Sequence, residues 1–528
     1  MENHSTLKSY NSLDRYALFL GVLFLLGYWI FGYDGITYSD DVYYILAGKS
    51  FWEGTMEVNS YHFSSRWGAY IPSGLFTFLF GLNAQIASAF CFICYILTLL
   101  LLIKVLPKSA NPILLVIWFC TQVYFLHFLT KVYPDAALVL WVTLVPVASL
   151  FRQKSPILSG IILVTSLFAG FLTKETIIFL APFPVILFFL DLKSHQLNKH
   201  FFLSILLTGI TLSFAYLGYF WVAFGDPFYR VTSINAGHYI SEFTYADKGI
   251  WSILERLTIT PFRTFVERAY WPWIVFALPA VYQGIKNETP KFQEFTWSFL
   301  CLLIGFWFMS STLEFYNPIY LNPRHLIIIV PIMAYLCASG WDFWQNSKNW
   351  KIGLSSFLVF GSILAILDSD SKQALFLLLF IPIIWRNRRN FQIALLAIIL
   401  LAPGIYSIYY QKQLKQYNHL TSELKEITNN SDSQSPILVN NFIDFSKEVL
   451  LPMDSLSQQK LYPIENFEKI VSQNPPSFTI VLYLYYQHAY LKENEDVERF
   501  NIWLDSSDYE LSEEQSEKKL WVRKYQKR

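Results

Sequence analysis

Charge is scarce in this chain. Asp, Glu, Lys and Arg together make up 15% of the 528 residues, against roughly 25% in an average soluble domain. The charges that are present nearly cancel, 40 basic against 39 acidic for a net of +1, so the balance calls for no nucleic-acid partner. Cysteine is also sparse. The five thiols, Cys91, Cys94, Cys120, Cys301 and Cys337, all lie in apolar runs. Cys91 and Cys94 have C-x-x-C spacing, but no second pair completes a zinc site, and the two read as packing rather than a redox pair. Gly48-Lys49-Ser50 lacks the glycine a phosphate loop needs five positions before the Gly-Lys pair, where Tyr43 stands. There is no internal repeat and no low-complexity segment. The first apolar run, Tyr16 to Phe31, has no small-residue cleavage site and reads as a first membrane helix, not a cleavable signal.

What the chain has in quantity is apolar sequence, 54% of it, gathered into runs. That pattern indicates a polytopic membrane protein rather than one large soluble core. About thirteen membrane helices are expected, each drawing on about 20 apolar residues and fewer where the flanks snorkel. They fall near 15–33, 83–106, 111–130, 134–151, 156–172, 175–191, 200–224, 272–285, 295–312, 324–341, 352–367, 373–385 and 391–410. Two long polar segments interrupt the ladder, near 34–82 and 225–271. Lys104 and Lys108, Arg152 and Lys154, Lys193 and Lys199, and Arg386, Arg388 and Arg389 fall in alternate short loops. The opposite loops carry single cations. The positive-inside rule then puts the N-terminus in the cytoplasm, and both long segments and the C-terminus outside. Residues 1–410 form the expected membrane domain. Residues 411–528 form a small C-terminal α+β soluble domain, with strand-like runs at Pro436–Val439, Phe478–Leu484 and Leu520–Val522 and a helix over Ile464–Val471.

On this topology the outer face collects polar groups at helix ends. They are Asp40 and Asp41 after the first helix, Asp135 at the start of the fourth, Lys174 and Glu175 between the fifth and sixth, and Arg324 and His325 at the start of the tenth. A carboxylate there can accept a proton from an attacking hydroxyl. Lys and Arg can hold a phosphate and stabilise charge that develops on it. Other roles stay open at each position. The double Asp suits a solvated loop. Asp135, after Pro134, suits a helix first turn favoured by the dipole. Lys174-Glu175 suits a solvated turn, and Arg324 suits a lipid head-group anchor. His62, His127 and His238 are scattered, and His127 sits in an apolar run as a packed or lumen-facing residue rather than a metal ligand.

These motifs, in this order, resemble the GT-C superfamily of integral membrane glycosyltransferases, in particular the branch of protein O-mannosyltransferases and lipid A aminoarabinose transferases. The likeness runs over roughly 10–345. It rests on Asp40-Asp41-Val42-Tyr43-Tyr44-Ile45-Leu46-Ala47 ending at Trp52-Glu53-Gly54, on Arg66, Pro72 and Phe80-Gly81, and on Asp135, Thr173-Lys174-Glu175 and Arg324-His325-Leu326 to Pro331. Asp-Asp stands where the branch usually has Asp-Glu. The resemblance implies an inverting enzyme of the outer membrane face, in the bacterial inner membrane. It takes a sugar from a polyprenyl-phosphate donor and passes it to a lipid, glycan or protein acceptor. It also implies catalytic roles for Asp40, as the base, and for Asp41. Substrate contacts fall to Arg66, Asp135, Lys174, Glu175, Arg324 and His325, with no certain cofactor and a divalent cation left open. The alternatives are an oligosaccharide polymerase or ligase of the same superfamily, or a transporter of a lipid-linked or anionic solute. A transporter is expected to place its charges near the bilayer midplane.

Overall fold

The computed structural model describes residues 11–237, 244–286, 290–312, 314–431 and 435–528. Among them, eight helices are long and apolar enough to cross a membrane. There are nine if Pro112–Cys120 and Val123–Leu129, bent by 74° at the break, count as one span. The chain is an integral membrane protein. The remaining sequence-predicted spans correspond to shorter apolar stretches of helix at Pro134–Ser149, Trp271–Ile285, Phe292–Phe308 and Ser371–Leu378 followed by Phe380–Trp385. Burial separates central from peripheral helices. The span Pro323–Gln345 is 89% buried, whereas Lys199–Phe224 is 11% buried and turns most of its apolar surface outward.

The long polar segments are not simple loops. The first contains the helices Asp40–Trp52 and Trp67–Phe80, and the second contains Tyr229–Gly237, Ile250–Thr258 and Thr260–Glu267. These helices are too short or too polar to register as spans, so hydropathy alone passes over them.

The residues form two compact units interleaved in sequence. The first is Met1–Ile30, Glu57–Ile71 and Phe90–Ile405, and the second is Phe31–Met56, Pro72–Ala89 and Tyr406–Arg528. In the first unit the core is aromatic. Trp273 donates its indole N–H to the Trp118 carbonyl at 2.7 Å, and Trp341 and Trp344 pack against Phe276. Arg152 serves more than topology. It is buried, forms a two-point pair with Asp191 at 2.8 and 2.9 Å, and reaches Glu294 at 2.6 Å, so three helix ends are tied by one ion cluster.

The second unit contains a five-stranded mixed sheet in the order β2-β1-β3-β5-β4. The strands are β1 Ile437–Val439, β2 Leu461–Pro463, β3 Ser477–Tyr483, β4 Tyr509–Glu517 and β5 Leu520–Lys527. β1 lies parallel between β2 and β3, and β5 is antiparallel to both β3 and β4. Leu438, Ile464, Phe467, Phe478, Ile480, Phe500 and Tyr525 form its core. The three strands expected from sequence are β1, β3 and β5. β2 is only three residues long, and β4 is exposed along nearly its whole length.

Candidate functional site

The helix Pro156–Thr173 ends where Lys174 adopts an extended backbone, and a 3-10 turn, Glu175–Leu180, follows. The turn is only partly solvated. Lys174 is buried, and the first turn of Trp67–Phe80 presses on the junction. A Cβ added at Gly68 would lie 2.3 Å from the Thr173 Oγ1, so only glycine permits this approach. The packing brings Arg66 to Glu175. Its Nη2 reaches Oε2 at 2.8 Å and its Nε reaches Oε1 at 3.2 Å, the fork geometry guanidinium offers a carboxylate. Arg230, from the second long polar segment, donates to the same Oε1 at 2.6 Å and to the Phe171 carbonyl at 2.7 Å. Glu175 is thus held between two guanidinium groups. Nothing in the sequence around Arg230 announces this role.

Asp135 occupies the first turn of Pro134–Ser149, as the dipole reading expects, yet it also carries an ion pair. Lys174 Nζ donates to both of its oxygens at 2.8 Å, and Arg324 Nε lies 3.5 Å from Oδ2. Arg324 also stands over the Tyr133 ring at 4.7 Å, a cation–π contact. It is half-buried and engaged by both neighbours. Asn322 caps this helix end by accepting the Arg324 N–H at 2.9 Å, with Pro323 in the first turn. Burial pushes the Lys174 ammonium down to about 8. Asp135 opposes that shift, and Arg324 and Arg66 add to it.

These groups converge on a cavity of about 400 Å³. Its wall includes Arg66, Lys174, Arg324, His62 and His325, with Glu175 as a carboxylate and Thr176, Ser310, Ser311, Asn317, Tyr320 and Asn322 as neutral polar groups. Ile178, Phe179, Met309 and Ile319 supply an apolar side. Arg256 braces one wall. It is buried and donates to the Phe306 and Ile319 carbonyls at 3.0 and 2.7 Å, which closes the base of the segment between them. A half-apolar chamber with cationic side chains suits an amphiphile that bears an anionic group.

Asp40 and Asp41 belong to the second unit, at the start of helix Asp40–Trp52. They are not equivalent. Asp41 is buried and accepts from the Thr37 N–H at 2.8 Å, the Thr37 hydroxyl at 2.6 Å and the Val42 N–H at 2.9 Å. Ser39, at the N-cap, makes no side-chain cap bond, so the Asp41 carboxylate satisfies the backbone there. Asp40 is half-buried. Lys49, the residue of the discarded phosphate loop, pairs with Glu448 at 2.7 Å.

Among the described residues no three His, Cys, Asp or Glu side chains cluster in a way that could hold a metal ion. His127 packs edge-on against Phe128, and His238 lies outside the described residues. Cys91 and Cys94 are buried free thiols.

No protein-family model matches this sequence, and no curated protein matches it. The fold, in contrast, is shared across nearly the whole chain. The structure of ArnT from Cupriavidus metallidurans bound to undecaprenyl phosphate superposes with a TM-score of 0.59 at 12% identity, over 96% of this chain and 97% of that one. The apo state of the same enzyme gives 0.61 at 12% identity, over 97% and 98%. The apo oligosaccharyltransferase of Archaeoglobus fulgidus gives 0.47 at 11% identity, over 90% and 70%. The fold is the one seen in the two ArnT structures, an α-helical membrane domain with a small C-terminal sheet.

Proposed function

We propose that this chain is an inverting glycosyltransferase that takes a sugar from a polyprenyl-phosphate donor and passes it to a hydroxyl acceptor at the outer face of the membrane. The observation that carries the reading is the cavity at the helix ends, lined by Arg66, Lys174 and Arg324 and apolar on its other side. An amphiphilic donor with one phosphate matches that division. The solved enzyme of the same fold that was captured with undecaprenyl phosphate supports the choice of carrier.

In the proposed reaction the acceptor oxygen bonds to the anomeric carbon as the bond from that carbon to the phosphate oxygen breaks. The configuration inverts, and polyprenyl phosphate leaves. Negative charge grows on the departing phosphate, and fixed cations stabilise it more than they stabilise the bound donor. Lys174, Arg66 and Arg324 take this role. Asp40 takes the acceptor's proton, an assignment that comes from its match to the first acid of the resembled family. Asp41, occupied with Thr37 and its own helix end, holds the segment in shape.

The test uses the purified full chain in nanodiscs. Native mass spectrometry should detect undecaprenyl phosphate but not undecaprenol. Lys174→Ala and Arg324→Ala should each weaken binding or turnover about 10- to 100-fold, the effect of losing a charged hydrogen bond. Asp40→Asn should bind normally and lose about 100- to 10,000-fold in transfer. Mass spectrometry of envelope lipids, glycans and proteins from a deletion strain names the acceptor. Normal binding and turnover in both cation variants would return Lys174 and Arg324 to a purely structural role and remove the reading.

A further inference from the structure

In sheets of parallel strands, ligands bind beyond the strand carboxyl ends, where neighbouring connections leave in opposite directions. The second unit has such a point. From β1 the chain goes to β2 on one side, and β3 then returns on the other, so the crevice lies beyond Val439 and Tyr483. Asn440, the first residue past β1, accepts the Tyr483 N–H at 2.6 Å and draws the two strand ends together.

The crevice is filled by the chain itself. Tyr38 is buried, and its ring packs against Phe442 at 5.4 Å, Tyr483 at 5.7 Å and Tyr486 at 5.0 Å. The Tyr490 hydroxyl donates to the Tyr38 carbonyl. The Tyr38 backbone has φ 57°, an uncommon region for an aromatic residue, so its surroundings hold it there. Two further fastenings lie just before it. Asp34 pairs with Lys415 at 2.8 Å, both buried. Gly35, at φ +96°, lies against the Tyr417 ring, where an added Cβ would come within 2.2 Å. Three residues after Tyr38 comes Asp41, and the helix that opens with Asp40.

We propose that the strand-end crevice of the C-terminal sheet is a seat for the chain's own Tyr38, and that by gripping residues 34–38 the sheet region fixes the start of the helix that carries Asp40. Tyr38 is then a positioning residue, and a nucleotide or other small ligand has no room there unless it displaces the ring. The catalytic consequence rests on the reading of Asp40 as the base. The grip itself does not.

The experiment compares the full chain in nanodiscs with Tyr38→Ala, Tyr38→Phe and Tyr490→Phe, by hydrogen exchange and by kinetics. In Tyr38→Ala, amides of 36–44 should exchange at least tenfold faster while those of Pro134–Ser149 keep their protection. Undecaprenyl phosphate should bind as in the parent, and kcat for transfer should fall at least tenfold with donor KM unchanged. Tyr38→Phe should restore both readouts, because the ring fills the seat. Tyr490→Phe, which removes one hydroxyl and is the milder change, should raise exchange in 36–44 by a smaller factor. Parental exchange over 36–44 in both Tyr38→Ala and Tyr490→Phe would overturn the proposal. So would faster exchange in Tyr38→Ala with undiminished kcat, since the seat would then position nothing. If the parent itself transfers no sugar, the exchange result alone decides the grip, and only the glycosyl-transfer reading falls.

Discussion

Replacing Asp135 by Asn probes the centre of the charge cluster with almost no change in volume. The carboxylate is fully buried, accepts two bonds from Lys174 at 2.8 Å, and has Arg324 at 3.5 Å. Asn leaves the Lys174 ammonium buried without its anion. Removing one member of a buried pair costs about 3–5 kcal/mol, most of it the penalty of the charge left behind. Lys174 has an escape, because burial already holds it near 8 and loss of Asp135 lowers it further, so it sheds its proton near neutral pH. That route places the expected loss at the lower end, about 3 kcal/mol. Lys174→Met should cost less, since Asp135 keeps Arg324. The double variant Asp135→Asn/Lys174→Met leaves neither charge stranded and should fall short of the sum of the singles by at least about 1 kcal/mol. Equilibrium unfolding in mixed micelles at pH 7, followed by tryptophan fluorescence, measures all three. An unchanged Asp135→Asn midpoint, or strictly additive costs, would refute the claim that the pair is buried and coupled.

Two pH dependences follow from the same physics. Phosphate binding should weaken as pH rises past about 8, because Lys174 then loses its charge, and Lys174→Arg should bind undecaprenyl phosphate with a flat profile between pH 7 and 9.5. Stability runs the other way for this group. Its folded pKa lies below the unfolded value near 10.4, so the folded state gains over the unfolded one as pH climbs from about 8 to about 10. In the second unit, burial raises Glu493, which accepts the Asn441 N–H, to about 7. Its folded value lies above the unfolded one, so its contribution is full below about pH 4.3 and is lost as pH rises through 7. Protease resistance of residues 436–528 in the full chain should drop between pH 5 and 8. Glu493→Gln should abolish that drop, and an equal drop in the variant would reject the assignment.

The membrane ladder was readable because long apolar runs have few structural uses. Lys199–Phe224 and Lys348–Leu367 lie within a few residues of their expected bounds. The parts that escaped notice have physical reasons. β4, Tyr-Glu-Leu-Ser-Glu-Glu-Gln-Ser-Glu, is an edge strand with both faces in water, so no alternation marks it. Its cross-strand pairs with β5, Glu513 opposite Lys524 and Glu514 opposite Arg523, appear only once the register is known. The helix Asp40–Trp52 is short and mixed in polarity, and its acids and aromatics looked like a loop.

For the site, the sequence marked individual residues but not their partners. Asp135, Lys174 and Arg324 each stood out as a charged group at the end of an apolar run. Pairing is a different kind of information. Lys174 meets Asp135 across 39 positions and Arg66 meets Glu175 across 109, and neither spacing follows a helix or strand period. Glu175 shows what this costs a one-dimensional reading. Beside Lys174 it suggests a solvated turn. In the fold the two side chains part, Lys174 to Asp135 and Glu175 to Arg66 and Arg230. Arg230 was missed for the same reason. It sits in a segment read as loop, and its significance comes entirely from the Phe171 carbonyl and the Glu175 carboxylate that it joins. One local signal does mark a partner. Asn322-Pro323 ahead of Arg324 is a helix-start signature, and it places Arg324 in a first turn, where its side chain stays close to the Asp135 helix end instead of reaching outward.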